Sequence, residues 1–548
     1  MARRPIRTTL TASVLLGGVL AVPSVGATAD DVGCPAPAAP MTFVSEYTDT
    51  TRAGGEPIIV THPDGQLLWG SHAGSTHFYT PSAADADTAA FIANYEGQTY
   101  QYVSENGGES WDFVPRTPIS TLDPTSGLPN SGFSDPEFAI DLAGNVFISE
   151  INLANIAFSK SSDGGRSYTL QNIAGITLSD RQWMEADEED VLWFVANTFG
   201  GGSPNAGQAV TGSLSHRLYK STDGGATFGP AQDLGSQQSS DILVDRRDGR
   251  LYEIHRQNGA LTMWIAPNAR DQAPPNVEWL NRDGTLEKPR SSNPPVIAPS
   301  HSRMSSIGPT MALGPGDDIY VVWDEAGGAG AGIWFNASTD RGETWGTPTK
   351  LDDGTGTAFW PWLAAGPDGV VAVWLQNSER APGNSPERAT GDWHVMAAQS
   401  VNPAGCEVVV DGATVAAPAT FTVQKASAEP VHRGTMCNSG TTCQAFGVDR
   451  RLGDYFANTI DRDGNVVIAV SDTRRGGAVS LPLTIRQTGG TTVGDPYAGI
   501  EALGFTDRGP FELEFGEGGS QTGGTPAAAT TATVVRDHVE RLALRLSR

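Results

Sequence analysis

Ser221-Thr222-Asp223-Gly224-Gly225-Ala226-Thr227-Phe228 is one of four copies of an eight-residue pattern in this chain. The other copies lie at 104–111, 161–168 and 338–345. Their third residues, at positions 106, 163, 223 and 340, are separated by 57, 60 and 117 positions, so one copy is missing between the third and the fourth. A repeat with this period predicts an array of equivalent structural units.

The pattern describes a turn that stabilises itself. A short Asp or Asn side chain can bond backbone groups two residues on, Gly supplies a positive φ, and the final aromatic residue returns the chain to an apolar layer. The four copies resemble the Asp box, S-x-D-G-G-x-T-W, of the bacterial neuraminidase repeat found in sialidases and related secreted β-propellers. In that family the box is a structural turn, away from the active site.

A second repeat alternates with the first: a polar motif, an apolar strand, a tight turn rich in Asp and Gly, and another apolar strand. Seven copies can be counted, at 56–72, 135–150, 180–197, 241–256, 308–325, 359–376 and 453–474. Two hairpins per unit give the four antiparallel strands of a propeller blade. We therefore predict an all-β, sialidase-like β-propeller of four-stranded antiparallel blades. We favour seven blades; sialidases have six, which is the alternative if the first or last hairpin only closes the ring.

The rest of the chain predicts export. Residues 1–29 combine Arg3 and Arg4 with an apolar run and small residues, which is typical of a signal peptide. No other stretch approaches the roughly 20 apolar residues of a membrane span, so we expect a secreted, extracellular monomer without membrane insertion. The other predicted segments are an N-terminal segment at 30–54, the propeller at 55–515, a linker at 516–533 and a short C-terminal helix at 534–548.

The cysteines indicate the compartment of the protein, and its charge limits the classes of partner it can bind. Cys34, Cys406, Cys437 and Cys443 suit an oxidising compartment and allow three pairings, of which we favour Cys34 with Cys406 and Cys437 with Cys443. The net charge of −26 argues against nucleic acid or an anionic membrane as a partner. An anionic substrate would therefore need a local cationic pocket, and a glycan or polysaccharide is the expected substrate.

Blade geometry decides which residues can meet. Residues just before the first strand and just after the second strand of each blade share one face, here called the near face. The eight-residue turns share the opposite, far face with the Asp-Gly turns. Long connections mark the binding face of a repeat array. We assign five of them to the near face, at 114–134, 198–216, 281–306, 377–392 and 406–452.

The near face is predicted to collect a polar ring around the central channel. Three arginines of the ring can clamp a carboxylate or sulfate through their guanidinium forks: Arg181, Arg256 and Arg474. The other substrate-binding candidates are Asp180, Asp241, His255, Trp360, Trp362 and Asp454. The catalytic candidates are Tyr455, Asp135, Glu150 and Glu325.

Sialidases bind the sugar carboxylate with an arginine triad and use an acid/base Asp and a Tyr nucleophile assisted by Glu. Tyr455 with Glu150, Glu325 or Glu137 could imitate the last of these parts. No Arg-Ile-Pro motif precedes the first eight-residue copy, so none of the family's roles transfers by a motif match.

Each candidate also has a structural interpretation. The arginines can form ion pairs with neighbouring aspartates, and the tryptophans can belong to the core between blades. His72 and His255 lack ligand spacing and are interpreted as hydrogen-bonded side chains. No metal site or cofactor is predicted, although the acidic cluster can hold Ca²⁺, which takes six to eight oxygen ligands.

The favoured function is a secreted glycan-active enzyme, a sialidase-like glycoside hydrolase that acts on a terminal, acidic sugar. One alternative is a non-catalytic propeller that binds a glycan or a protein at the cell surface. The other is a polysaccharide lyase on the same fold, with Tyr455 or His255 as its base.

Overall fold

The computed structural model describes residues 34–72, 99–115, 134–151, 156–172, 179–198, 215–236, 241–301, 308–328, 330–410, 413–438, 448–475, 477 and 479–498. The predicted signal peptide, linker and C-terminal helix lie outside these residues. Seven antiparallel sheets, each built on four consecutively paired strands, form the blades of a propeller. The predicted fold class and blade number are therefore confirmed.

The first strand of the chain, β1 (Thr42–Tyr47), belongs to the last blade. Blade 1 contains β2 (Ile58–Thr61), β3 (Leu67–Ser71), β4 (Tyr100–Ser104) and β5 (Asp112–Phe113). Blade 2 contains β6 (Ser134–Ile140), β7 (Val146–Ile151), β8 (Ile156–Ser161) and β9 (Thr169–Asn172). Blade 3 contains β10 (Ser179–Ala186), β11 (Leu192–Thr198), β12 (Ser215–Ser221) and β13 (Gln232–Gly235).

Blade 4 contains β14 (Ile242–Asp245), β15 (Arg250–Gln257), β16 (Ala260–Ala266), an inserted hairpin of β17 (Trp279–Leu280) and β18 (Leu286–Glu287), and the outer strand β19 (Val296–Ala298). Blade 5 contains β20 (Thr310–Leu313), β21 (Ile319–Glu325), β22 (Gly332–Ser338) and β23 (Thr349–Lys350).

Blade 6 contains β24 (Ala358–Gly366), β25 (Gly369–Asn377), β26 (Asp392–Ser400), an inserted hairpin of β27 (Cys406–Val410) and β28 (Ala413–Ala417), the outer strand β29 (Thr422–Lys425), and β30 (His432–Arg433), which pairs with β26. Blade 7 contains β31 (Ala457–Ile460), β32 (Val466–Asp472), β33 (Leu481–Gly489) and β1. The described residues also include the 3₁₀ helices Ala269–Asp271, Pro382–Asn384 and Pro386–Arg388.

The second strands are largely buried on both faces because each blade is packed between two others. In β25, for example, every residue except Gln376 is buried. The ring closes where β1 pairs antiparallel with β33, so part of the predicted 30–54 segment is the outer strand of blade 7. A disulfide joins Cys34 to Cys406 at the start of β27, as predicted. Cys437 is also disulfide-bonded, and its predicted partner Cys443 lies outside the described residues.

The four copies of the eight-residue pattern form one turn at the far face, between the third and fourth strands of blades 1, 2, 3 and 5. In each, the Ser hydroxyl donates to the Asp or Asn side chain over 2.7–2.9 Å. The Ser oxygen then accepts from the backbone N–H four residues on, over 2.9–3.0 Å. In the fourth copy Arg341 takes the place of the first Gly, with φ of 61°.

Blades 4 and 6 carry their inserted hairpins where blades 1, 2, 3 and 5 have this turn. The prediction that all of 281–306 and 406–452 lies at the near face is therefore wrong. The chain is at the far end of its blade when it leaves β16 and β26, and it reaches the near face only after β19 and β29. The sequence does not show where these insertions lie. In blades 4 and 6 the eight-residue pattern is absent, so nothing marks the far-face connection between the third and fourth strands.

Candidate functional site

Four blades begin with the same backbone distortion at the near face. Glu56, Asp135, Arg181 and Trp360 stand at the entry of the innermost strands with φ of 48°, 51°, 54° and 55°. In blades 2, 3 and 6 the pairing with the second strand shifts register at this point. A side chain in the left-handed region costs about 1–2 kcal/mol, and such strain is concentrated at functional sites. The distortion therefore singles out the near-face mouth of the channel.

Five charged residues of blades 1, 2, 3 and 7 converge there: Glu56, Asp135, Asp180, Arg450 and Asp454, here called the mouth cluster. The guanidinium of Arg450 makes a bidentate contact with Asp454, with Nη2 donating to Oδ2 over 2.6 Å and Nη1 to Oδ1. Nη2 of Arg450 also lies 3.5 Å from Oε1 of Glu56. Ser134 and Gln182 hold Asp135 through its carboxylate and its carbonyl respectively.

The carboxyl groups of the mouth cluster differ in their surroundings. Burial raises the pKa of Glu56 to about 8, an effect that Asp454 increases and Arg450 opposes. Burial also raises the pKa of Asp135 well above its usual range, and the charges of Glu56 and Asp180 add to this effect. Asp135 therefore favours its protonated form, whereas Asp454 is engaged as an ion-pair partner.

Arg181 is a partly exposed cation at the channel mouth. Its side chain is 24% exposed, and its closest charged contact among the described residues is Asp180, with Nε 4.0 Å from Oδ2. Its Nη1 is buried and finds no hydrogen-bond partner in the described part of the chain. An unsatisfied guanidinium N–H at a channel mouth can bind an oxyanion.

Beneath the mouth cluster, three aromatic rings from blades 3, 6 and 7 fill the channel. The ring centroids of Trp183, Trp362 and Tyr455 are 5.7–6.0 Å apart. The hydroxyl of Tyr455 donates to the carbonyl of Pro136 over 3.0 Å. Burial raises the pKa of Tyr455 well above its usual value, and Asp135 and Glu56 raise it further. A tyrosine nucleophile needs a base that takes its proton, and this hydroxyl meets a backbone carbonyl instead.

A second group of carboxyls, Glu137, Glu185 and Asp241, also lines the channel. Burial and the charge of Glu185 raise the pKa of Asp241 to about 8. Burial raises that of Glu185 to about 7 against the opposing charge of Arg246, whose Nη2 lies 3.2 Å from Glu185. Glu185 and Arg246 also line a cavity of ≈ 200 Å³ between the far ends of the inner strands, next to Tyr497.

Several predicted site residues lie away from the mouth cluster. Glu150 is buried and accepts hydrogen bonds from Thr99, so it bridges blades 1 and 2. Glu325 accepts from the indole of Trp323 and lies 2.6 Å from His301 of blade 4.

The arginines predicted to form a triad are dispersed. Arg256 is exposed, and its Nε donates to the carbonyl of His301 over 3.4 Å. Arg474 donates from Nε and Nη2 to the buried carboxylate of Asp472, at 3.0 and 2.7 Å from Oδ2. Only Arg181 of the three accompanies the mouth cluster. Trp360 is buried, with its indole donating to Asn438 over 3.3 Å.

His255 lies between blades 3 and 4, outside the mouth cluster. It is buried, stacks on Trp264 with a centroid distance of 3.7 Å, and places Nε2 3.2 Å from Oε1 of Glu253.

Two members of the mouth cluster were missed from the sequence, Glu56 and Arg450. Glu56 had a signal, because Glu56, Asp135 and Trp360 each precede a proline at the entry of an inner strand. An alignment of the repeats on this proline would have marked it. Arg450 lies in the connection that precedes β31 and has no local signal.

No protein-family model and no curated protein matches the chain. Similar solved structures include a polysaccharide lyase of family PL25, an ulvan lyase, at 10% identity and a TM-score of 0.43 over 82% of this chain and 96% of that one. The NanB sialidase from Streptococcus pneumoniae matches at 11% identity and a TM-score of 0.36, over 82% of this chain and 70% of that one. An α-L-arabinofuranosidase from Fusarium graminearum matches at 12% identity and a TM-score of 0.35, over 82% of this chain and 97% of that one. At these scores the similarity assigns neither a family nor an activity.

In the part of the chain that the structure describes, no helix has the length and apolar character needed to cross a membrane.

Proposed function

We propose that the protein is a secreted glycan-active hydrolase that uses the mouth cluster to cleave an acidic sugar. The observation that carries the proposal is the presence at one site of two carboxyl groups with different surroundings. Asp135 favours its protonated form, and Asp454 forms a bidentate ion pair with Arg450. Glycoside hydrolysis needs a proton donor for the leaving oxygen and a carboxylate that supports the cationic transition state.

The acidic character of the substrate is inferred from Arg181. Its side chain is partly exposed at the same rim as Asp135, and its Nη1 has no hydrogen-bond partner among the described residues. A carboxylate or sulfate of a sugar would supply that partner in a bidentate contact. Export is supported by the Cys34–Cys406 disulfide, since disulfides persist in oxidising compartments.

A non-catalytic glycan-binding propeller is the second candidate. It is favoured by the contact of the Tyr455 hydroxyl with the Pro136 carbonyl, which leaves the mouth without an activated tyrosine nucleophile. In this role the same rim would bind the acidic sugar through Arg181 and leave it intact.

The test incubates the purified chain with sialylated and uronate-containing glycans and identifies the products by mass spectrometry. Release of a saturated sugar supports the hydrolase, an unsaturated uronate identifies a lyase, and binding without product supports the second candidate. Asp135→Asn should lower the rate by about 10²–10⁴-fold. Asp283→Asn, on an exposed hairpin, is the matched control. Full activity of Asp135→Asn would contradict the assignment of Asp135 as the acid.

A further inference from the structure

A second polar centre, unrelated to the mouth cluster, lies between blades 3 and 4. His216 comes from β12 of blade 3, and Glu253 and His255 come from β15 of blade 4. All three side chains are buried, with exposures of 0%, 0% and 2%. One nitrogen of each imidazole and one oxygen of the carboxylate lie within 4.8 Å of one another. Two adjacent blades therefore bring three atoms that can bind a metal close together in a buried position.

The hydrogen-bond pattern fixes which imidazole atoms face this point. Nδ1 of His216 lies 2.9 Å from Oδ1 of Asn197, which is an acceptor, so Nδ1 carries the hydrogen. Nε2 of His216 then presents its lone pair to Oε1 of Glu253, which it contacts directly. Two acceptors in contact in a buried site require a proton or a cation between them.

A single proton leaves the rest of the centre unsatisfied. Nε2 of His255 lies 3.2 Å from the same oxygen of Glu253 but makes no hydrogen bond to a described residue. Oε2 of Glu253 also accepts none from the described residues. A cation coordinated by both imidazoles and by the carboxylate would satisfy all of these atoms together.

The geometry points to a divalent transition-metal site, with His216, Glu253 and His255 as ligands and Zn²⁺ as the expected ion. Two neutral imidazoles and a carboxylate form a ligand set that zinc accepts, with water in the fourth position. Asn197 would orient His216 from behind, as second-shell groups do at metal sites. Because the ligands are buried and come from two blades, the ion would tie blade 3 to blade 4.

The first measurement is the metal content of the untagged, purified chain after dialysis against metal-free buffer. We expect about one zinc per chain, and a loss of zinc in His216→Ala and His255→Ala. His394→Ala, which changes a half-buried histidine of blade 6, is the matched control and should retain zinc.

Two further measurements keep the test independent of how these variants fold. The wild-type chain, stripped with a chelator, should bind Co²⁺ with the visible absorption of a tetrahedral site, and Zn²⁺ should raise its thermal midpoint. Asn197→Ala retains all three ligands and should weaken Zn²⁺ binding by about 10–100-fold. A stripped chain that binds neither ion, or His216→Ala and His255→Ala variants that retain zinc at the wild-type level, would overturn the proposal and leave a protonated His216 in an ion pair with Glu253.

Discussion

Arg450 donates hydrogen bonds from both of its Nη atoms to the carboxylate of Asp454, four residues further along the chain. Its Nη2 also lies 3.5 Å from Oε1 of Glu56. All three side chains are buried. One desolvated guanidinium thus contacts two carboxyl groups, and its removal would leave the buried carboxyl of Asp454 without its ion-pair partner.

We expect Arg450→Met to lower the free energy of unfolding by about 3–5 kcal/mol, as for other broken buried ion pairs. Urea denaturation monitored by tryptophan fluorescence measures the change. Adding Asp454→Asn should recover part of the loss, and Arg433→Met, at a side chain that is 68% exposed, serves as the control. A loss no greater than that of the control would mean that the ion pair contributes little to stability.

Tyr455→Phe separates a structural tyrosine from a nucleophile. Loss of the hydroxyl removes the donor to the Pro136 carbonyl, which should cost about 1–2 kcal/mol of unfolding free energy. On the substrate identified by the product assay, the rate should stay within about tenfold of wild type. Tyr252→Phe, whose buried hydroxyl has no hydrogen-bond partner among the described residues, is the control for stability. A rate reduced more than about a hundredfold in a stably folded Tyr455→Phe would instead support the sialidase-type nucleophile.

The fold was predictable because its signals are local. Each eight-residue turn is stabilised by side-chain bonds within its own eight residues, so the pattern specifies the turn wherever it occurs. The mouth cluster is different in kind. Glu56 and Arg450 meet only because the ring closes, and no local pattern encodes that distance. For the same reason Arg474 is indistinguishable from Arg181 in the sequence, although Asp472 holds it elsewhere.

The raised carboxyl pKa values make stability depend on pH. In the folded protein the pKa is about 8 for Glu56 and Asp241 and about 7 for Glu185, all above their ordinary values. Folding therefore favours the protonated forms; their contribution is complete below the ordinary pKa values of 3.8–4.5 and is lost progressively as the pH rises to 7–8. The thermal midpoint should fall between about pH 6 and about pH 9.

Asp241→Asn should reduce this fall, because the amide cannot ionise, and should raise the midpoint at alkaline pH relative to wild type. Asp283→Asn should reproduce the wild-type profile. A midpoint that stays constant over the same range would show that these carboxyls are ionised in the folded protein.

Arg341 occupies a position where the other three turns have Gly, with φ of 61°. Its Nη2 donates to Asp245 and Asp248 of blade 4 over 2.7 Å each. Arg341→Ala and Arg341→Gly lose the same ion pairs, but only Gly relieves the left-handed backbone. Urea denaturation should show Arg341→Ala to be less stable than Arg341→Gly by about 1 kcal/mol. Equal stabilities would mean that the turn carries no strain at this residue.

The pairing of β1 with β33 has a consequence for the order of folding. Every other blade is assembled from neighbouring segments of the chain, but blade 7 needs residues 42–47 beside residues 481–489. This pairing closes a loop that contains the other six blades. Loop closure is slow while the chain is extended, and it is fast once the six blades have stacked and brought the two ends together. The seventh sheet should therefore be the last to gain protection from hydrogen exchange during refolding, and the Cys34–Cys406 bond would then lock a ring that is already complete.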